Sequence, residues 1–154
     1  AAPAWWMGVL EQGDVIHGAL LLVAWPLAAT CSVFVARYLK PLGHVWFVVH
    51  RATMFFVAAA TLVGVTLMVL HIALVHHGAH VHNLHGVLGT AVVLLMLSQV
   101  ALGLRAHHKW DPLRDAPPWW PDRAHHWLGR ATTAAANVNA LTGVLLFTGT
   151  SALH

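Results

Sequence analysis

The chain has 154 residues, 58% of them hydrophobic and 8% charged, where a soluble domain carries about a quarter charged residues. Eight basic and five acidic side chains cannot cover a globule of this size in water, which excludes an aqueous enzyme or signalling domain. The net charge of +3 comes from Lys and Arg that form no run and no basic face interleaved with exposed aromatics, so nucleic acid is excluded as a partner.

Four apolar runs, each long enough for a bilayer core roughly 30 Å thick, predict an all-α integral membrane protein. It is read as an up-down four-helix bundle forming one domain over residues 1–154. Trp5 to Gln12 precedes the first run and reads as a short interfacial helix. No signal-peptide pattern opens the chain, so an upstream segment is expected to have been removed or to precede this sequence. The first span covers about residues 15–38, with Asp14 as N-cap and Pro26 as a kink. The second covers about 45–75, the third about 83–104 and the fourth about 125–146. Between the third and fourth, Arg105 to Ala124 is interrupted by Pro112, Pro117, Pro118 and Pro121 and is too Pro-rich for a further helix. No internal repeat is expected.

Trp5, Trp6, Trp46, Trp110, Trp119, Trp120 and Trp127 fall near span ends, where indoles settle at the headgroup level. All eight basic residues gather at one side: Arg37, Lys40 and Arg51 at the first turn, and Arg105, Lys109, Arg114, Arg123 and Arg130 at the third. The positive-inside rule then places both termini on the non-cytoplasmic side of a multi-pass protein.

Four histidines lie in the first turns of four different spans: His17, His50, His85 and His125. In an up-down bundle, odd-numbered helices begin on one face and even-numbered helices on the other. His17 is thus expected to pair with His85, and His50 with His125, from diagonal helices able to clamp a flat macrocycle. That predicts two bis-histidine haem sites, one per leaflet, at levels about 15 to 20 Å apart. Gly89 and Gly129, four residues after His85 and His125, would leave room beneath each imidazole for porphyrin. His126 is the runner-up for His125, since only one of the two neighbours can face the interior. Lone Cys31 excludes covalent c-type attachment, leaving axial ligands alone to hold a b-type haem.

The residues that carry a family resemblance are His17-Gly18-Ala19-Leu20-Leu21 with Val35-Ala36-Arg37-Tyr38-Leu39-Lys40-Pro41, then Trp46-Phe47-Val48-Val49-His50-Arg51, His85-Gly86-Val87-Leu88-Gly89 and His125-His126-Trp127-Leu128-Gly129, with Gln99 and Asn139. Over about residues 15–146 the sequence resembles the cytochrome b561 family, in particular the ferric-chelate reductase-like and DOMON-linked branch. The resemblance implies two haems b and transmembrane electron transfer by an oxidoreductase. It also implies a cytoplasmic-side reductant such as ascorbate and an acceptor on the other side, either a ferric chelate or monodehydroascorbate. The alternative is an accessory or scaffolding haem subunit of a larger membrane complex, with other subunits as partners.

Arg51 and Arg130 lie about a turn from the inner-side ligands, where a guanidinium would pair with haem propionates. Arg37, Lys40, Arg105 and Arg123 would attract an anionic reductant or simply serve topology. The loop His76-His77-Gly78-Ala79-His80-Val81-His82 offers imidazoles to a metal acceptor, and His71 reads as a supporting partner or an alternative outer ligand. A metal transporter is disfavoured because these rings lie towards the faces, not the midplane. Asn137, Asn139 and Gln99 are polar groups that need interhelical partners. Met54, Met68 and Met96 read as filler.

Overall fold

The computed structural model describes residues 4–76, 83–109, 111, 113 and 115–151. Among them there are helices and turns and no strand. Helix α1 (Ala4–Glu11) is followed by four long helices: α2 (Gly13–Tyr38), α3 (Val45–His76), α4 (Leu84–His108) and α5 (Ala124–Ser151). Each long helix begins within two residues of its sequence expectation, while α4 and α5 run on beyond the expected ends. Asp14 is not an N-cap: α2 begins one residue earlier, and the Asp14 carboxylate accepts from its neighbour Val15 N–H. Asn83 does cap α4, its side-chain oxygen accepting from Gly86 N–H at 2.8 Å.

Pro26, expected to kink the first span, is inside α2. It lies within a π-helical stretch, Val23–Ala29, because proline removes an N–H from the i→i−4 ladder and a widened turn absorbs the mismatch. A second π stretch, Ile72–His76, ends α3. The turn from α2 to α3 is a short 3-10 segment, Lys40–Leu42, closed by Gly43 at a positive φ of 68°. Before α5 the Pro-rich connection tightens into a π turn, Trp119–Arg123.

Helices α2 and α3 pack as one antiparallel pair, and α4 and α5 as another. The pairs join through α2 against α5 and α3 against α4, which puts α2 diagonal to α4 and α3 diagonal to α5. The helices α2, α3 and α4 are long and apolar enough to cross a membrane. Helix α5 has 28 residues but carries its polar groups inward, burying Thr132, Thr133 and Asn139 while exposing Val138, Leu141 and Leu145. Outward leucines and an interior of small and hydroxyl residues are the pattern of helices packed in lipid, where close backbone approach and interhelical hydrogen bonds replace a water-driven core. The buried centre holds Trp25, Ala24, Ala29, Val57, Ala60 and Met96 among its members. Trp25, the one tryptophan away from a span end, is 2% exposed. Its indole N–H donates to Thr61 Oγ1 at 3.1 Å, and that hydroxyl in turn donates to the Val57 carbonyl.

Candidate metal-ligating histidine pairs

The diagonal helices bring the four histidines into two pairs. The rings of His17 and His85 have centroids 6.1 Å apart and planes at 90°. Those of His50 and His125 are 6.5 Å apart at 82°. A metal ion ligated from opposite sides by two imidazoles, with bonds of about 2 Å and a ring radius of about 1 Å, requires centroids about 6 Å apart. Both pairs meet that requirement.

Each imidazole is held from behind by a main-chain carbonyl of the neighbouring helix. His17 Nδ1 donates to the Gly64 carbonyl at 3.0 Å, His50 Nδ1 to the Ser32 carbonyl at 3.1 Å, and His85 Nδ1 to the Asn139 carbonyl at 3.1 Å. His125 is hydrogen-bonded to the main chain of Gln99. A carbonyl only accepts, so in His17, His50 and His85 Nδ1 carries the proton and Nε2 keeps the lone pair, which is the tautomer a metal needs. Ser32 adds a hydroxyl beside His50 Nδ1 at 2.9 Å, and Thr142 adds one beside His85 Nδ1 at 3.3 Å.

The supports are reciprocal. His17 leans on α3 and His50 on α2, while His85 leans on α5 and His125 on α4. The supporting residue lies fourteen positions after the histidine of its own helix in three cases: His50 to Gly64, His85 to Gln99, and His125 to Asn139. In α2 the offset from His17 to Ser32 is fifteen, and α2 is the helix whose π stretch falls between them. One extra residue taken up by a π turn keeps Ser32 in the phase that the other three helices reach with regular geometry.

Helices α4 and α5 carry a fuller repeat, since Gly89, Gln99 and Gly103 follow His85 at the same offsets as Gly129, Asn139 and Gly143 follow His125. This corrects the expectation of no internal repeat, which failed because only five positions in nineteen are identical, with Gln99 and Asn139 as one further similar pair. In the amide orientation that pairs each donor with an acceptor, the Asn139 nitrogen donates to the His85 carbonyl at 3.1 Å and its oxygen accepts from Gly89 N–H at 3.2 Å, bridging α5 to α4. Gln99 bridges α4 to α5 likewise, donating to the His125 carbonyl and accepting from Gly129 N–H, each at 3.1 Å. The role expected of Gly89 and Gly129 is corrected accordingly: the space they leave holds an amide of the facing helix, with a Cβ on either meeting that side chain at 3.2 Å. The glycines against the imidazoles are Gly143, facing His85, and Gly103, facing His125.

Around the His50 and His125 pair, Arg51 lies over Phe47 at 5.5 Å and Arg130 over Trp127 at 5.2 Å, both exposed. Lys40 lies over Trp46 at 5.6 Å, and Phe47 stacks on His107 at 5.1 Å. These cations sit on aromatic faces in the manner of a headgroup-level belt. His126 is exposed and its ring centre is 6.4 Å from that of His125. Asn137 donates to Thr30 Oγ1 at 3.3 Å, tying α5 to α2. Residues 77–82 of the histidine-rich loop lie outside the described residues, as does Arg114. His71 is buried and donates to the Leu10 carbonyl at 2.6 Å. No cluster of three or more His, Cys, Asp or Glu side chains close enough to hold a metal occurs among the described residues. A macrocycle that supplies its own equatorial nitrogens asks the protein for two axial ligands only, so the donor set fits haem better than a bare metal ion.

The chain is 29% identical over 139 residues to ferric-chelate reductase 1 of Bos taurus and 30% identical over 140 residues to ferric-chelate reductase 1 of Homo sapiens. Each match covers 85% of this chain and 22% of the relative, so the chain spans about a fifth of the length of the curated relatives it matches. No family model and no solved structure matches it.

Proposed function

We propose that this chain is a transmembrane electron-transfer domain with a haem b between His17 and His85 and a second between His50 and His125. The observation that carries this reading is the pair of near-perpendicular imidazole couples at 6.1 and 6.5 Å, with the Nδ1 atoms of His17, His50 and His85 each held by a carbonyl of the neighbouring helix. Bound haem supplies a one-electron ferric and ferrous couple. The chain's residues orient the ligands, fix their tautomer and exclude water, with Trp25 and Thr61 sealing the span between the two levels. Along α3 the levels are separated by the fourteen positions from His50 to Gly64, about 20 Å at helical rise.

All four long helices cross the bilayer in this reading, α5 included, because its polar groups face its neighbours and its leucines face outward. The basic side, with Arg51 and Arg130 at its rim, faces the cytoplasm and receives electrons from an anionic reductant such as ascorbate. Similarity to two proteins named ferric-chelate reductase 1 favours a ferric chelate as acceptor on the opposite side, with monodehydroascorbate as the other candidate.

A visible spectrum of the purified protein before and after dithionite tests the reading. Two low-spin haems b per chain are expected, and His17→Ala and His50→Ala should each remove one while leaving the other. Absence of a Soret band, or variants that lose neither haem, would overturn it.

A further inference from the structure

At the outer end of α3, the rings of His71 and His76 have centroids 4.6 Å apart with planes at 70°. Residues five apart on a regular α-helix point about 140° away from each other. Here the π stretch Ile72–His76, with its wider turn, brings them to one side, and π turns of this kind recur at functional sites. Two imidazoles on adjacent positions of one metal ion, with bonds of about 2 Å and a ring radius of about 1 Å, have centroids between about 4 and 5 Å apart. The pair has that spacing, in contrast to the opposed couples in the bundle.

His71 is pre-positioned for ligation. Its Nδ1 is tied to the Leu10 carbonyl at 2.6 Å, leaving Nε2 as the ring's lone-pair nitrogen. Close packing fixes the ring, since a Cβ on Gly13 would meet His71 Cβ at 2.6 Å. His76 is exposed, so one ligand is rigid and the other is open to solvent. His71 lies seven positions beyond Gly64 along α3, about 10 Å outward of the carbonyl that supports His17.

We propose that His71 and His76 form an entry site for an oxidised transition-metal ion that arrives with ligands of its own. Two protein donors leave the remaining positions to those ligands, which suits a passing acceptor better than a resident metal, and imidazole selects copper, iron, nickel or zinc over alkaline-earth ions. The inference rests on the proposed function, naming where a metal acceptor meets the outer face.

Copper(II) titrated into the purified, haem-loaded protein, followed by EPR, tests it. The tightest copper equivalent should show coupling to two nitrogens. His76→Ala should leave coupling to one nitrogen and weaken that equivalent about tenfold or more, and His71→Gln should do the same. Copper binding unchanged in either variant, each with its haem spectrum intact, would overturn the site. His76 is exposed, so its variant decides the matter alone if His71→Gln does not fold. A haem-free wild-type protein would sink the electron-transfer reading while the copper result still stood on its own.

Discussion

Gly143 approaches the His85 imidazole so closely that a Cβ there would stand 2.8 Å from Cε1, and Gly103 holds the equivalent place against His125 at 3.1 Å. The first separation forces something to move and the second asks for a few tenths of an ångström. Gly143→Ala is therefore expected to push His85 off its axis and lower haem occupancy of the outer pair, whereas Gly103→Ala keeps both haems with a changed low-spin EPR signal from the inner one. Haem content with EPR of each variant checks the order. Equal effects at both glycines would show that the imidazoles are not held where the proposed axial ligands must be.

The four long helices, three of them long and apolar enough to cross a membrane, and the histidine positions were legible because a bilayer demands long apolar helices and makes an imidazole within one conspicuous. The groups behind the imidazoles were not. The Nδ1 atoms of His17, His50 and His85 donate to the main-chain carbonyls of Gly64, Ser32 and Asn139, and a carbonyl leaves no mark on residue identity. Gln99 and Asn139 were recognisable as polar groups needing partners, but their reciprocity became readable only when α4 and α5 were seen to run antiparallel with matching offsets. The space beside Gly89 and Gly129 could be inferred from the missing side chains, yet its occupant depends on helix packing. Likewise, Pro26 announced a disturbance without showing that an inserted residue would absorb it.

Removing a bridging amide should loosen one haem site and spare the other. Gln99→Leu leaves the His125 carbonyl and Gly129 N–H without their extra partner, and Asn139→Leu does the same at His85 and Gly89. An interhelical hydrogen bond of this kind stabilises by about 1 kcal/mol. Redox titration should show one of two midpoint potentials displaced in each variant, the inner for Gln99 and the outer for Asn139. Displacement of both together, or of neither, would contradict local support.

The exposed guanidinium groups of Arg51 and Arg130 should act on the approach of an anionic reductant through long-range attraction. In Arg51→Gln with Arg130→Gln, reduction by ascorbate is expected to slow several-fold at low ionic strength and to converge on the wild-type rate near 1 M salt, where the screening length is about 3 Å. Stopped-flow reduction at both ionic strengths checks this. A deficit that persists undiminished in high salt would instead assign the arginines to a contact within the site.

The fifteenth position in α2 supplies the sharpest test of how the bundle keeps its phase. If the π stretch Val23–Ala29 does no more than absorb one residue, removing that residue should restore the fourteen-position offset found between His50 and Gly64. Leu27 suits the deletion because it is 61% exposed, and Pro26→Ala restores the N–H that a regular ladder needs. The combined variant should retain both haems, with Ser32 still supporting His50. Deleting Leu62 from α3, also outward-facing at 46% exposure, makes the opposite case. No widened turn lies between His50 and Gly64, so the loss rotates one relative to the other by about 100° and takes the Gly64 carbonyl away from His17. That variant should lose haem from the outer pair. Haem stoichiometry of the two deletions decides the matter: equal loss from both would mean that the π stretch is required for its own shape and not for the phase it restores.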